Sequence, residues 1–185
     1  MMAVALIGVI AGMAVPVTGS ALAGQRFRAD AKALANLVGL TKMRASANFT
    51  RARVRADLAN NSFIVERWDK TAAAWVQDEG VVRLGTGITF GFAGLATPPP
   101  NTQAAIGMSP PCRTGIGVDD EPIAESSCIV FNSRGLPVDG AGVLFGGHAL
   151  YLTDGGTVAA ATVTATPRIR RWLTPAAYAT WKELQ

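Results

Sequence analysis

The feature that most constrains this chain is its opening stretch, which contains no charged residue before Arg26. The first 17 residues, MMAVALIGVIAGMAVPV, are apolar throughout. As an α-helix they would span roughly 26 Å at 1.5 Å per residue, slightly less than the hydrocarbon core of a bilayer. Because such a helix would be apolar on every side, lipid, other helices or a protein core has to cover it.

Three interpretations of residues 1–25 are open: a transmembrane or filament helix, a secretory signal peptide, and a buried core helix. Ala21-Leu22-Ala23 is similar to the small-residue cleavage site of a signal peptide. Signal peptides begin with a basic region, however, and here no Lys or Arg precedes Arg26. A core helix that is apolar all round would crowd a head of about 150 residues.

Residues 26–48 continue with an amphipathic pattern. The apolar positions recur at helical spacing: Phe27, Ala31, Leu34, Leu37, Val38 and Thr41. Charged residues occupy the positions between them. We therefore predict that the helix continues out of the apolar segment and that its apolar stripe packs against a sheet.

Residues 50–58 alternate strictly, with Arg51, Arg53 and Arg55 on one side and apolar residues on the other, which is strand periodicity. Asn60-Asn61 is a suitable two-residue turn because Asn tolerates positive φ. A hairpin closed there would place Arg55 opposite Glu66. The same register predicts one charged face and one core face.

The remaining chain predicts a β-rich head. Further strands are expected at 74–77, 81–84, 88–92, 128–132, 149–153 and 157–165, with Asp154-Gly155-Gly156 as a hairpin turn. Residues 96–127 are rich in Pro and Gly and predict a long surface loop. Thr174-Pro175 resembles the start of a helix, so 174–185 is predicted as a short C-terminal helix. The fold class is α+β, with a helix of residues 1–48 and an antiparallel head of residues 49–173.

Chemistry-bearing motifs are scarce. Cys112 and Cys128 are expected to form a disulfide if the head is extracytoplasmic, and two buried or free thiols are the alternative. The single His, His148, follows two glycines and is predicted to be a turn residue without metal partners. Asp119-Asp120-Glu121 lacks the pattern of a calcium loop and is expected to be solvated. We therefore predict no enzyme activity, no cofactor, no metal and no small-molecule substrate.

Two sets of motifs carry a family resemblance. The stretch AVALIGVIAGMAVP, with Gly8 and Pro16 eight residues apart, resembles the hydrophobic helix of type IV pilins and type II secretion pseudopilins. In the head, Ile88-Thr89-Phe90, the run from Ile129 to Pro137, and the hairpin around Gly155 resemble the GspH/FimT branch of minor pilins. The resemblance implies a pilin-like fold, a long hydrophobic helix packed on an antiparallel head.

Aligned on Gly8 and Pro16, the sequence lacks the family's basic leader, processing site and the Glu before the apolar run. We expect that about six mature residues and the leader are missing, either because the start codon was assigned too late or because the fragment was cut. Pro16 removes a backbone donor and is expected to kink the helix; a helix end is the alternative.

The resemblance implies a structural subunit of a type II secretion pseudopilus or type IV pilus. Its partners would be other pilins, through the N-terminal helix, and it would be a single-pass protein of the bacterial inner membrane, with its head in the periplasm, before assembly. One alternative is a DNA-binding minor pilin of a DNA-uptake pilus. Another is a secreted β-domain whose signal peptide is cleaved after Ala23.

The DNA alternative rests on two groups of residues. They are Arg168, Arg170, Arg171 and Trp172 at the end of the head, and the row Arg51, Arg53 and Arg55. Guanidinium groups pair with phosphates and Trp stacks on exposed bases. The simpler interpretation is a solvated charged face, with Arg55 paired to Glu66.

Overall fold

The computed structural model describes residues 2–117 and 119–184, and the side chains of its helix from residue 22 onward. Helix α1 spans Met2–Ala47. The strands are β1 (Ala52–Asp57), β2 (Ser62–Asp69), β3 (Ala74–Gln77), β4 (Val82–Arg83), β5 (Thr89–Phe90), β6 (Ser126–Phe131), β7 (Pro137–Val138), β8 (His148–Thr153), β9 (Thr157–Val163), β10 (Ile169–Pro175) and β11 (Lys182–Leu184).

Two predictions for the start of the chain fall on side chains outside this description. The first is the apolar membrane or filament helix of residues 1–25, of which the structure describes side chains only from residue 22. The second is the kink at Pro16. Among the described residues, no helix combines the length and the hydrophobicity that a membrane crossing requires.

The described part of α1 packs its apolar stripe against the head. Phe27, Leu34, Val38, Thr41 and Ala45 are buried, which confirms the amphipathic pattern. Full burial of a Leu or Val side chain contributes about 1.5–3 kcal/mol to stability, so this stripe anchors the helix firmly.

The strands form two antiparallel sheets, as the α+β prediction requires. The first has the order β3-β2-β1-β6-β7, with β4 also paired to β2, and the second has the order β11-β10-β9-β8-β5. One hydrophobic core joins both sheets to α1, with Phe63 and Phe131 from the first sheet and Leu150 and Leu152 from the second. The helix therefore covers one face of each sheet.

The predicted register of the first hairpin is wrong by two residues. Arg53, rather than Arg55, lies opposite Glu66. The connection is wider than the two-residue turn, because the Asp57 carboxylate accepts from both the backbone and the side-chain amide of Asn60, each at 2.9 Å. A shift of two residues keeps every side chain on its predicted face, since strand side chains alternate with a period of two.

The predicted C-terminal helix of residues 174–185 is also wrong. Thr174 is buried within β10 and pairs with Val158, and the chain then turns back into the edge strand β11. The Thr174 hydroxyl donates to the Tyr178 carbonyl and accepts from the Thr180 amide, which closes the turn. Short isolated helices are marginal in water, so pairing with the sheet prevails over the local helix signal.

Within the predicted surface loop of residues 96–127, many described residues are exposed, and part of the chain also packs on the sheets. Pro99, Ser109 and Cys112 are buried, and β6 begins at Ser126, two residues before the predicted start of that strand. We call residues 109–117 and 119–125 the covering loop, because they lie over the face of the first sheet that points away from α1.

Candidate functional site

The covered face of the first sheet carries a buried pair of opposite charges. Arg53 on β1 and Glu66 on β2 are register partners, and Arg53 Nε donates to Glu66 Oε2 at 2.5 Å. The two residues are only 2% and 6% exposed. Burial lowers the pKa of the Arg53 guanidinium, and the Glu66 carboxylate opposes that shift. The pair therefore depends on its partners to replace the water that it has lost.

Trp75 on β3 and the covering loop enclose this pair. The guanidinium carbon of Arg53 lies 4.1 Å from the centroid of the Trp75 ring, within cation–π range. Arg53 Nη1 donates to the carbonyl of Arg113, and Trp75 Nε1 donates to the carbonyl of Gly115 at 3.0 Å. Side chains of the sheet thus bind the backbone of the loop above them.

Two further guanidinium groups satisfy carbonyls of the covering loop. Arg51 Nη1 donates to the carbonyl of Ile116 at 2.9 Å, and Arg113 Nη1 donates to that of Asp120 at 2.6 Å. Since backbone carbonyls need partners wherever water is excluded, these bonds let an irregular loop lie against the sheet.

A disulfide clamps the base of the covering loop to β6. Cys112 and Cys128 are bonded, which confirms the predicted pairing, and they are 1% and 3% exposed. The Cys112 amide donates to Ser126 Oγ at 3.1 Å, and the Cys128 amide donates to the Pro110 carbonyl at 2.9 Å. The loop is therefore attached to the sheet by both covalent and hydrogen bonds.

The prediction that His148 is a turn residue is wrong, because this His begins β8 and is 2% exposed. Its Nε2 atom lies 3.1 Å from the Val138 carbonyl, and its Nδ1 atom lies 3.2 Å from Ser109 Oγ. This network suits a neutral ring that donates from Nε2 and accepts at Nδ1. Burial lowers the pKa of His148 to about 4, while the Val138 carbonyl and Asp139 oppose the shift.

Ser109 connects the two sheets next to His148. Its amide donates to the Ala149 carbonyl on β8 at 2.8 Å, and its carbonyl accepts from the Ser127 hydroxyl on β6 at 2.7 Å. Its hydroxyl accepts from the Ala149 amide at 2.9 Å. Ser109 is 4% exposed, so this Ser–His contact is a structural junction and does not present a nucleophile.

A cavity of about 400 Å³ lies beneath the covering loop. Its walls combine aromatic, aliphatic, proline and basic groups, among them Arg51, Trp75, Pro110, Val130, Val138 and His148. Sites that take small ligands are typically concave, mostly apolar and supplied with a few polar groups, and this cavity has that composition.

The structure does not present the predicted exposed row of arginines on β1. Arg53 is buried, and Arg55 Nη1 shares the same Glu66 carboxylate at 3.4 Å. Arg51 lines the cavity. The simpler interpretation of the sequence holds in one part: Arg55 contacts Glu66, as predicted. The face is covered and not solvated, however, and Arg53 is the closer partner of Glu66.

The second predicted group is divided between the two faces of β10. Trp172 is 5% exposed and donates from Nε1 to Thr162 Oγ1 at 2.9 Å, so its ring is not available to stack on a base. Arg170 lies 3.6 Å from Glu183 on β11. Arg171 lines a groove beside α1, whereas Arg168 is exposed. DNA binding by these arginines stays a prediction.

Among the described residues, no group of three or more His, Cys, Asp or Glu side chains is arranged to hold a metal ion. In the predicted acidic run, Asp120 accepts from the Gly117 amide at 2.5 Å and so closes a local turn.

Sequence reasoning missed Trp75, Ser109 and Val130 as members of a site. Each lies in a different predicted segment, so no local signal brings the three together. The sequence signal nearest to the buried cluster is the predicted pairing of Arg55 with Glu66, which are opposite charges on adjacent predicted strands.

The sequence matches no protein-family model and no curated protein. Two solved structures of the minor pseudopilin EpsH, from the type II secretion system of Vibrio cholerae, are similar to this chain. One has 12% identity and a TM-score of 0.47, and covers 80% of this chain and 93% of the EpsH chain. The other has the same identity and TM-score, with 79% and 94% covered.

Proposed function

We propose that this chain is a structural, non-catalytic subunit of a pilin-type or pseudopilin-type fibre and that it assembles through its N-terminal helix. One observation carries the proposal. The head packs on α1 between Phe27 and Ala45, and the 25 residues at the start of the sequence, ahead of that segment, carry no charge. Such a sequence needs an apolar partner, and lipid before assembly and sister helices after it would supply one.

The disulfide supports a location for the head. Structural disulfides persist in oxidising compartments such as the bacterial periplasm, and this one is buried where the covering loop joins β6. The proposal therefore places the head on the periplasmic side of the inner membrane before assembly.

Replacement of Ile10 by Lys tests the helix. A Lys near the centre of a membrane segment costs about 2.5–3.5 kcal/mol, so we expect Ile10→Lys to shift the full chain from the membrane fraction to the soluble fraction and to abolish cross-linking to sister subunits. Val81→Lys is the matched control, because Val81 is 52% exposed on the head. The control should fractionate like the native chain.

Two results would overturn the proposal. The first is a native full-length chain that stays monomeric in water without detergent. The second is an intact mass that shows cleavage after Ala23, which would favour the secreted β-domain instead.

A further inference from the structure

We propose that the cavity beneath the covering loop binds a carboxylate that is carried on an apolar group, and that Arg51 holds the carboxylate. This binding site is independent of the proposed fibre role, because it concerns a surface of the head on the far side of the first sheet from α1.

The charge argument begins with Arg51. Arg53 and Arg55 share the Glu66 carboxylate, but among the described residues Arg51 has no salt bridge. Arg51 donates from Nη1 to the Ile116 carbonyl, and among the described residues its Nε and Nη2 atoms have no acceptor, while the side chain lines the cavity. A guanidinium offers five donors in a planar fork that matches a carboxylate.

The apolar argument comes from the floor of the cavity. Val130 on β6 and Val138 on β7 are register partners, and both line the cavity together with the ring of Trp75. Pro110 and Pro111 add further apolar walls. A small inorganic anion would leave these walls in contact with water, whereas a ligand with an apolar group would cover them.

The turn of residues 139–143 is shaped around the arginines. A Cβ on Gly142, which has φ +80°, would lie 2.8 Å from Arg51 Nη2, and a Cβ on Gly140 would lie 2.8 Å from Arg113 Nε. Asp139 also lines the cavity, but among the described residues it forms no salt bridge with Arg51, and its Oδ1 accepts from the amides of Ala141 and Val143 within the turn. The turn therefore approaches the guanidinium groups closely at the rim of the cavity.

N-acetyl-L-phenylalanine is the probe for the first experiment, measured by calorimetry on the full chain in detergent. A ligand of this size in such a cavity is expected to bind with a Kd of about 1 mM or tighter. Its neutral amide should bind at least about tenfold more weakly, because a charge-assisted bond to Arg51 is lost. Equal binding of acid and amide, or no binding of either, would overturn the proposal.

Three variants and one control connect binding to the cavity. Arg51→Gln should weaken binding of the acid about tenfold, and Arg51→Lys should restore part of it. Val130→Phe, which fills the floor and keeps the charge, should abolish binding. Arg134→Gln removes an exposed arginine from a turn outside the cavity and should change nothing. Thermal unfolding of each variant establishes that the chain is folded, and unchanged binding by folded Arg51→Gln and Val130→Phe would refute the site.

A second pair of probes distinguishes the source of the carboxylate. A hexapeptide that ends in a free Phe carboxylate and the same peptide with an amidated end are compared with the small acid. Tighter binding of the free peptide would assign the site to a polypeptide C-terminus. Tighter binding of the small acid would assign it to a free apolar acid. Failure of all the carboxylates would overturn the site and leave the fibre proposal untouched.

Discussion

Strands β1 and β10 each carry an arginine that forms an ion pair with a carboxylate on a neighbouring strand, yet the two pairs lie in different environments. On β1 the outward face is enclosed by Trp75 and the covering loop, and Arg53 is 2% exposed. On β10, Arg170 shares its face with the buried Trp172 and pairs with Glu183 on the edge strand β11, and the side chains of the pair are 26% and 47% exposed. Alternation thus indicates which face a residue occupies, but not whether another segment covers that face.

The energetic consequence differs accordingly. A buried ion pair costs several kcal/mol of desolvation per ion, so each partner is needed to compensate the other. A solvated pair gains little, because water and salt screen the charges. We therefore expect removal of the Glu66 carboxylate to lower the free energy of unfolding much more than removal of the Glu183 carboxylate.

Glu66→Ala should have the largest effect. It leaves the Arg53 guanidinium buried without its carboxylate, and removal of one partner of a buried pair costs about 3–5 kcal/mol. The measurement is the free energy of unfolding from urea titration. A loss below about 1 kcal/mol would show that Arg53 is as well solvated as Arg170, and the contrast between the strands would disappear.

Replacement of both Cys112 and Cys128 by Ala should cost about 3 kcal/mol, the value expected for a disulfide that closes a loop of this size, with a sequence separation of 16. The covering loop should also become more accessible, so trypsin should cleave after Arg113 faster than in the native chain. Hydrogen exchange on β10 is the internal control and should stay unchanged. An unaltered cleavage rate would mean that the arginines alone hold the loop.

The His148 side chain should make the head less stable in acid. The pKa of His148 is about 4 in the folded chain and about 6.5 for an ordinary solvated His, so between these values the unfolded chain binds the additional proton. Stability is therefore complete above the higher value and is lost as the pH falls through the lower one, with a loss of about 2 kcal/mol near pH 5.

His148→Gln provides the control, because a Gln side chain can donate and accept at the same place without titrating. The stability of this variant should change less between about pH 7 and about pH 5 than that of the native chain. Identical pH profiles of the two chains would contradict the role of His148.

Glu183→Ala on β11 should have the smallest effect, between about 0 and 1 kcal/mol, because Glu183 is solvated and lies 3.6 Å from Arg170 Nε. High salt should remove any difference in the free energy of unfolding between this variant and the native chain. If Glu183→Ala lowered the free energy of unfolding as much as Glu66→Ala does, the edge of the second sheet would be enclosed in the same way as β1.

Several elements could be predicted because their signals are local. The apolar stripe of α1, the alternation on β1 and the Asp154-Gly155-Gly156 turn each specify their structure within a few residues, and all three are confirmed. The C-terminal helix failed where a local signal, Thr174-Pro175, competed with pairing to β9. The cavity could not be predicted, because its walls come from segments that are distant in sequence.

The amino-acid sequence by itself determined the helix stripe, the strand faces and the α+β class, whereas it left open whether Cys112 and Cys128 are bonded or free. Tertiary structure alone decided that a proline-rich loop covers β1, that Arg53 loses its water and that His148 lies in the junction between the sheets. The physical reason is the separation along the chain over which each effect acts. Periodicity and turn chemistry act between near neighbours, whereas desolvation depends on every segment that packs over a residue.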